Sequence, residues 1–302
     1  DYYSGKTNPL ANHVNYINAI GNETDWTNVM FDGGVIQSYS LSALGGNEKS
    51  KFAISGSYLA DQSVLLTDNF KKSNFRINLD TKVNKYLEVG GNINAAYTTR
   101  RDFAIGVHDA IRQSPWLPLY ITAENIGFMS PTALTTAKSG GIGDYAREVY
   151  FDNYILPGNT TGTVINTTTN ESALAKVLQR NTTINNFKLF SNAYAKINIT
   201  KDLTFRTSLS ADYNNAQTEA WVGTKLITSP TSSFSTATDT HVVNENILSY
   251  NKYFGNHSFS GIAGIAWEKW NYFTSSESAS GYNFDYITTL NAASTVASAT
   301  TF

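Results

Sequence analysis

The 302-residue chain has no cysteine. That removes both a disulfide framework and any thiolate metal site from consideration. Charged residues amount to only 15%, against the quarter usual in globular domains, and proline is scarce at 6 residues. With a formal net charge of -2 and no basic run, nothing in the chain is built to track phosphates, so nucleic acid is not an expected partner. No stretch of about eighteen apolar residues occurs, which excludes a transmembrane helix. The start, Asp1-Tyr2-Tyr3-Ser4, lacks the basic and apolar regions of an export signal, so any such signal is expected upstream or already removed.

What the chain has in quantity is Tyr, Phe, Asn, Ser and Thr, a mixture suited to strands with an apolar outside and a neutral polar inside. The pattern is clearest over residues 70–99. Phe75, Ile77, Leu79 and Val83 face one way, while Asn74, Arg76, Asn78, Asp80 and Lys82 face the other. After a turn at 84–87 the alternation resumes, with Val89, Ile93, Ala95 and Tyr97 opposite Glu88, Asn92, Asn94 and Thr98. Each strand is about ten residues long, the length of a tilted membrane crossing, whereas a soluble sandwich strand averages about five or six. Charges at mid-strand fit a water-lined lumen, and aromatics at the row ends fit a membrane interface.

The same period returns along the chain, in Val35, Tyr39, Leu41 and Ala43, then Phe52, Ile54, Gly56 and Tyr58. It reappears at Phe187, Leu189, Ala193, Ala195 and Ile197, at Leu203, Phe205, Leu209, Ala211 and Tyr213, and at Phe259, Ala263, Ile265 and Trp267. Residues 241–254 alternate too, but the adjacent pair Ile247 and Leu248 leaves their facing open. The expectation is one all-β domain over 1–302, an antiparallel transmembrane β-barrel of which about eight strands are present. Short turns fall at 45–51, 84–87, 200–203 and 255–257, and long connections at about 1–33, 61–72, 100–184, 216–240 and 271–302. Outer-membrane barrels alternate in this way, with short periplasmic turns and long extracellular loops. Short helices are expected inside the loops at 25–31, 144–150 and 172–179. A closed eight-stranded barrel would be filled by its own side chains. With loops at both ends and an oversized 100–184 connection, the strands read better as an arc of a larger barrel.

Little in the sequence points to catalysis. None of the four histidines, His13, His108, His241 and His257, has metal-ligand spacing, so no metal is expected. His108-Asp109 is the one neighbour pair a hydrolase at the barrel rim could use, and a solvated loop pair is the far better account of it. No phosphate or dinucleotide fingerprint occurs, so no cofactor is expected, and the glycine pairs fall at turns. Matches to N-x-[ST] at Asn22, Asn159, Asn166, Asn181 and Asn198 follow from an Asn- and Thr-rich composition. For contact with a ligand or partner the candidates are loop aromatics, Trp116, Tyr120, Tyr150 and Trp221 foremost, because flat rings stack on apolar ligand faces. The competing reading is that these rings pack the loops onto themselves.

A family resemblance is carried by Thr24-Asp25-Trp26 leading to Phe31-Asp32-Gly33-Gly34, and by Leu41-Ser42 with Gly45-Gly46-Asn47-Glu48-Lys49. It continues in Tyr58-Leu59 through Phe70, in Phe75-Arg76-Ile77-Asn78-Leu79-Asp80 and in Leu87-Glu88-Val89-Gly90. In order and spacing these residues resemble the early barrel of SusC/RagA-type TonB-dependent transporters of the Gram-negative outer membrane. The resemblance covers the first third of the chain; beyond Thr99 only the architecture agrees. It implies a 22-stranded barrel plugged by an N-terminal domain, energised by the TonB complex and capped by a SusD-type lipoprotein that captures oligosaccharides or peptides. No plug precedes Asp1 and no TonB-contacting segment is present, so the expectation is a barrel portion, embedded in outer-membrane lipid, with the plug absent. Arg76, Asp80, Lys82, Arg206 and Asp212 then face the plug. A self-contained porin or anchor barrel without TonB coupling, a barrel hydrolase and a soluble adhesin-like β-protein remain as alternatives.

Overall fold

In a lipid-exposed strand every backbone N–H and C=O needs a partner within the protein, and a continuous ladder provides one. The computed structural model describes residues 20, 22–129, 141–152, 172–226, 229–285 and 287–301. Nine strands form one antiparallel sheet in sequence order. They are β1 (Val35–Gly46), β2 (Ser50–Gln62), β3 (Asn69–Lys82), β4 (Leu87–Arg101), β5 (Arg180–Asn198), β6 (Leu203–Val222), β7 (Thr231–Phe254), β8 (His257–Ser280) and β9 (Thr295–Thr301). Among the described residues the sheet is open, with β1 and β9 at its two ends, the form of an arc of a larger barrel. β9 pairs only with Thr274–Ser280, so among the described residues the lower two thirds of β8 has a partner on one side alone.

Each short turn has its own local device. Asn47 Oδ1 accepts from the amides of Lys49 and Ser50, each at 2.8 Å, and Asn84 Oδ1 accepts from Tyr86 (2.8 Å) and Leu87 (3.0 Å). These are Asx-turns, in which the side chain replaces a backbone acceptor. Between β7 and β8 only two residues intervene, and Gly255 supplies the positive φ of 58° that such a hairpin needs at its first position.

Cross-strand pairing fixes which residues share a face. Ala43, Ile54, Ile77 and Ile93 lie in one paired row, followed by Ser191, Ala211 and Val242. This face leaves Leu41 81% and Ile265 73% exposed, an apolar surface that lipid covers and water would not tolerate. Phe205 pairs with Leu248, so Leu248, Val242 and Tyr250 belong to the apolar face and Ile247 and Val243 to the polar one. The ambiguity over residues 241–254 is thereby resolved.

The pairing also reveals the tilt of the strands. Along the row from Tyr39 through Tyr58, Tyr97 and Phe187 to Phe273, the separation from the short-turn end grows from seven residues in β1 to sixteen in β8. With about 4.8 Å between strands and a rise of about 3.3 Å, that advance of about 1.3 residues per strand corresponds to a tilt of about 41°. Tyr97, Tyr213 and Trp267 each stand ten residues above the short-turn ends Leu87, Leu203 and His257. Ten residues at this tilt span about 25 Å, the height of the apolar band of an outer-membrane barrel, so these rings mark its upper edge.

Several strands run beyond their expected limits. The connection expected at 216–240 contracts to 223–230, that at 100–184 to 102–179, and that at 61–72 to 63–68. The expected 271–302 loop holds the end of β8 and the whole of β9, making nine strands instead of about eight. The cause is common to all of them: above the lipid band the ladder continues while the apolar alternation stops, as in Asn185, Gln217, Thr236 and Ser275 on the lipid-side face. Among the described residues, short α-helices in the connections include α1 (Trp26–Met30), α2 (Val107–Ile111), α3 (Glu148–Asp152) and α4 (Ala173–Gln179). Asp25 caps α1 by accepting from the Asn28 amide at 3.0 Å, and Ser172 caps α4 through the Ala175 amide at 3.3 Å. His13, Asn159 and Asn166 lie outside the described residues.

Candidate functional site

Two surfaces can carry function, the layer of long connections above the band and the polar face of the wall. The layer has its own apolar core. Helix α1 sets Trp26 and Met30 one turn apart on the same side, where they meet Leu117, Ile121, Phe151, Leu174 and Val177. Trp26 Nε1 donates to the Ser114 carbonyl at 3.0 Å, and the Thr24 amide donates to the Pro115 carbonyl at 2.7 Å. Glu148, fully buried, accepts from the Ser114 amide at 3.0 Å. The Leu66 amide donates to the Met30 carbonyl at 2.9 Å, tying in the 63–68 connection. Lys225 pairs with Asp144, and Arg147 donates to the Lys225 carbonyl at 3.1 Å, tying in the 223–230 connection. The connections are therefore laced into one layer.

On the polar face the five charges singled out in the sequence do share one side of the sheet. Lys82, Glu88, Lys196 and Arg206 form one paired row, and Arg76, Asn94, Phe190 and Asp212 another. Between them, Asp80, Gly90 and Tyr194 are paired across β3, β4 and β5. The Tyr194 hydroxyl donates to Asp80 Oδ1 at 2.6 Å and lies 3.3 Å from Glu88 Oε1, while the Arg206 guanidinium sits 4.7 Å above the ring. Gly90 makes this reach possible. A Cβ there would come within 2.7 Å of both the Leu79 carbonyl oxygen and the Tyr194 ring. A glycine inside an alternating strand was the sequence signal for this close approach, and Tyr194 itself was missed.

The four candidate contact aromatics do not converge. Trp116 packs half-buried against the loop core, and Tyr150 is 6% exposed within it. Tyr120 is 40% exposed, with its ring 5.4 Å from that of Tyr145. Trp221 lies apart, near the top of β6, meeting Tyr282 edge to face at 4.8 Å. His108 and Asp109, 3.3 Å apart on α2, are solvated and share Arg112. Among the described residues no group of three His, Asp or Glu is placed to hold a metal. Partial burial raises the Tyr145 phenol above its usual range, and the Thr122 hydroxyl lowers the Glu124 carboxyl.

No protein-family model matches the chain. TonB-dependent receptor P3 of Formosa agariphila is 26% identical over 266 residues, and TonB-dependent receptor P39 of the same organism is 24% identical over 266 residues. Those matches cover 84% and 85% of this chain but 23% and 22% of the relatives' own lengths. Two solved structures are similar in fold, the RagAB peptide importer in the closed-closed state (TM-score 0.63, 17% identity) and the RagAB peptide transporter (TM-score 0.63, 18% identity). Each match covers 92% of this chain and 30% of the solved one. The relatives are named as receptors and the solved neighbours as a peptide importer and transporter; none of these names is that of an enzyme. The sequence resemblance and these likenesses point the same way: the nine-stranded arc is similar in sequence to a segment of TonB-dependent receptors and similar in fold to part of the RagAB barrel.

Proposed function

We propose that the chain forms part of the wall and extracellular loop layer of an outer-membrane importer for peptides or oligosaccharides, energised through TonB and working with a SusD-type surface lipoprotein. The observation that carries this reading is the open nine-stranded arc with a lipid-side band about 25 Å tall and one polar face. An open edge at membrane depth leaves backbone groups unsatisfied, so the arc belongs with further strands. The polar charges Arg76, Asp80, Lys82, Arg206 and Asp212 then face a plug domain, which couples to the TonB complex. The laced loop layer supplies a firm seat for the lipoprotein, with Trp116 and Tyr120 at its surface.

Mass spectrometry of the native protein from an outer-membrane extract tests this. A mass roughly three to four times 33.1 kDa, together with peptide or oligosaccharide uptake abolished by a protonophore, is expected. A native mass near 33.1 kDa would instead favour a self-contained porin or anchor barrel and overturn TonB coupling.

A further inference from the structure

Above the lipid band the outward face carries a built cavity that the lumen-centred reading does not use. Two adjacent paired rows meet there. One runs from Asn181 to Trp221, the next from Thr183 through Glu219 to Phe234. Every one of these positions shares the face of the lipid-side residues, because the alternation is unbroken from Phe187 to Asn181 and from Tyr213 to Trp221. Residues 288–290 of the β8–β9 connection line one side of the cavity, whose volume is about 330 Å³. The connection is pinned in place. The Thr224 amide donates to Asp285 Oδ1 at 2.8 Å, and the Ser232 and Tyr282 hydroxyls bond to one another.

The chemistry of the lining is specific. Tyr282 meets Trp221 at 80°, and an edge-to-face neighbour covers at most one face of an indole. Phe234, Glu219, Asn181 and Thr183 line the same cavity as Trp221 and carry a phenyl group, a carboxylate, an amide and a hydroxyl. A pyranose presents a flat C–H face for an aromatic ring and a rim of hydroxyls that both donate and accept, which is what these groups complement.

Position narrows the ligand further. Thr183 stands four residues above Phe187 and Glu219 six above Tyr213, about 10 and 15 Å above the band at the inferred tilt. Phospholipid head groups reach only about 5 to 8 Å beyond the hydrocarbon. A saccharide chain extends further. We propose that this cavity binds an oligosaccharide on the outside of the wall, a site distinct from the transport lumen. The proposal rests on the membrane orientation proposed above. The same sugar chemistry is offered by the saccharide chain of a surrounding glycolipid and by a free oligosaccharide.

Native mass spectrometry of the purified full-length protein in detergent tests this against three probes. These are rough lipopolysaccharide, the deacylated oligosaccharide released from it, and phosphatidylethanolamine. Retention of lipopolysaccharide is expected, weakened about tenfold by Glu219→Gln, which removes a charged acceptor while keeping the shape. Trp221→Ala is expected to weaken it at least as much, and Gln217→Ala, one row below, to leave it unchanged. Equal retention of the deacylated oligosaccharide assigns the site to free sugar, whereas retention of the intact glycolipid alone assigns it to the leaflet. Should Trp221→Ala fail to fold, the near-isosteric Glu219→Gln carries the test. Lipopolysaccharide retention that is absent or unaltered by Glu219→Gln, or phosphatidylethanolamine retention lost in that variant, overturns the proposal. Because the assay uses purified protein, failure of outer-membrane localisation or of uptake would sink the importer reading and leave this result standing.

Discussion

The first four strands and the next four solve the same crossing problem with different amounts of chain. β1 to β4 run from 12 to 15 residues, whereas β5 to β8 run from 19 to 24. Counted from the short turns, both groups contain the roughly ten residues a tilted crossing takes. The difference lies above the band. β4 continues four residues past Tyr97, β6 nine past Tyr213 and β8 thirteen past Trp267. Lipid fixes the lower part of every strand, and the contacts of the loop layer and outer cavity fix how far each continues. The wall therefore rises further beyond the apolar band from β4 toward β8.

The sharpest way to break this comparison is to place the same charge at two heights on the outward face. Ile93→Arg, inside the band, is expected to cost about 2–4 kcal/mol, against about 0–1 for Gln217→Arg above it. Urea-unfolding midpoints in liposomes measure both, and equal costs would mean that the band is misplaced. Next in size is Gly90→Val, which drives a side chain into the Leu79 carbonyl and the Tyr194 ring. Overpacking of this kind costs about 1–3 kcal/mol, read as loss of the heat-resistant folded band on gels. A smaller effect is expected in the layer that joins the two groups. Lys225→Ala removes a partly exposed ion pair with Asp144 worth about 0.2–1 kcal/mol, and should speed proteolytic nicking of the 102–179 connection, less so at high salt.

The smallest effect concerns pH. Because the Tyr145 phenol is raised by burial, the folded state holds its proton longer than the unfolded chain does. Loop-layer stability should be flat below about pH 10 and fall above it, and Tyr145→Phe should remove that fall. Hydrogen exchange of the 141–152 segment across pH reads the difference.

What the sequence made legible was the part of each strand in contact with lipid, because only there do water and hydrocarbon on opposite faces impose a period of two. Phe75 to Val83 and Leu203 to Tyr213 are readable for that reason. Thr231–Thr240 and Ser275–Ser280 are as firmly paired, yet both their faces meet water or protein, so no alternation marks them. β9, from Thr295 through Val296 and Ala297, is short and nearly featureless for the same cause. Helices α1 and α4 were legible through Asp25 and Ser172, whose caps are local. The loop core was not, since Trp26, Phe151 and Leu174 are far apart in sequence and meet only once the layer is laced. The sequence places Trp221 in a loop; it stands instead on β6, and no spacing points to its partner Tyr282.

The tyrosine that crosses Gly90 to reach Asp80 also bears on the order in which the wall assembles. Hairpins β1–β2, β3–β4, β5–β6 and β7–β8 close over a few residues, but β4 can meet β5 only after residues 102–179 have been looped out. Loop closure of that length makes this joint the most non-local pairing in the sheet and the natural candidate for a slow step. Tyr194 spans that joint, bonding from β5 across β4 to β3, so it acts as a latch that holds two preformed halves once they collide. Time-resolved refolding into liposomes would then find Gly90→Val stalled as paired hairpins with an open seam, and uniform slowing of every hairpin would argue against a latch.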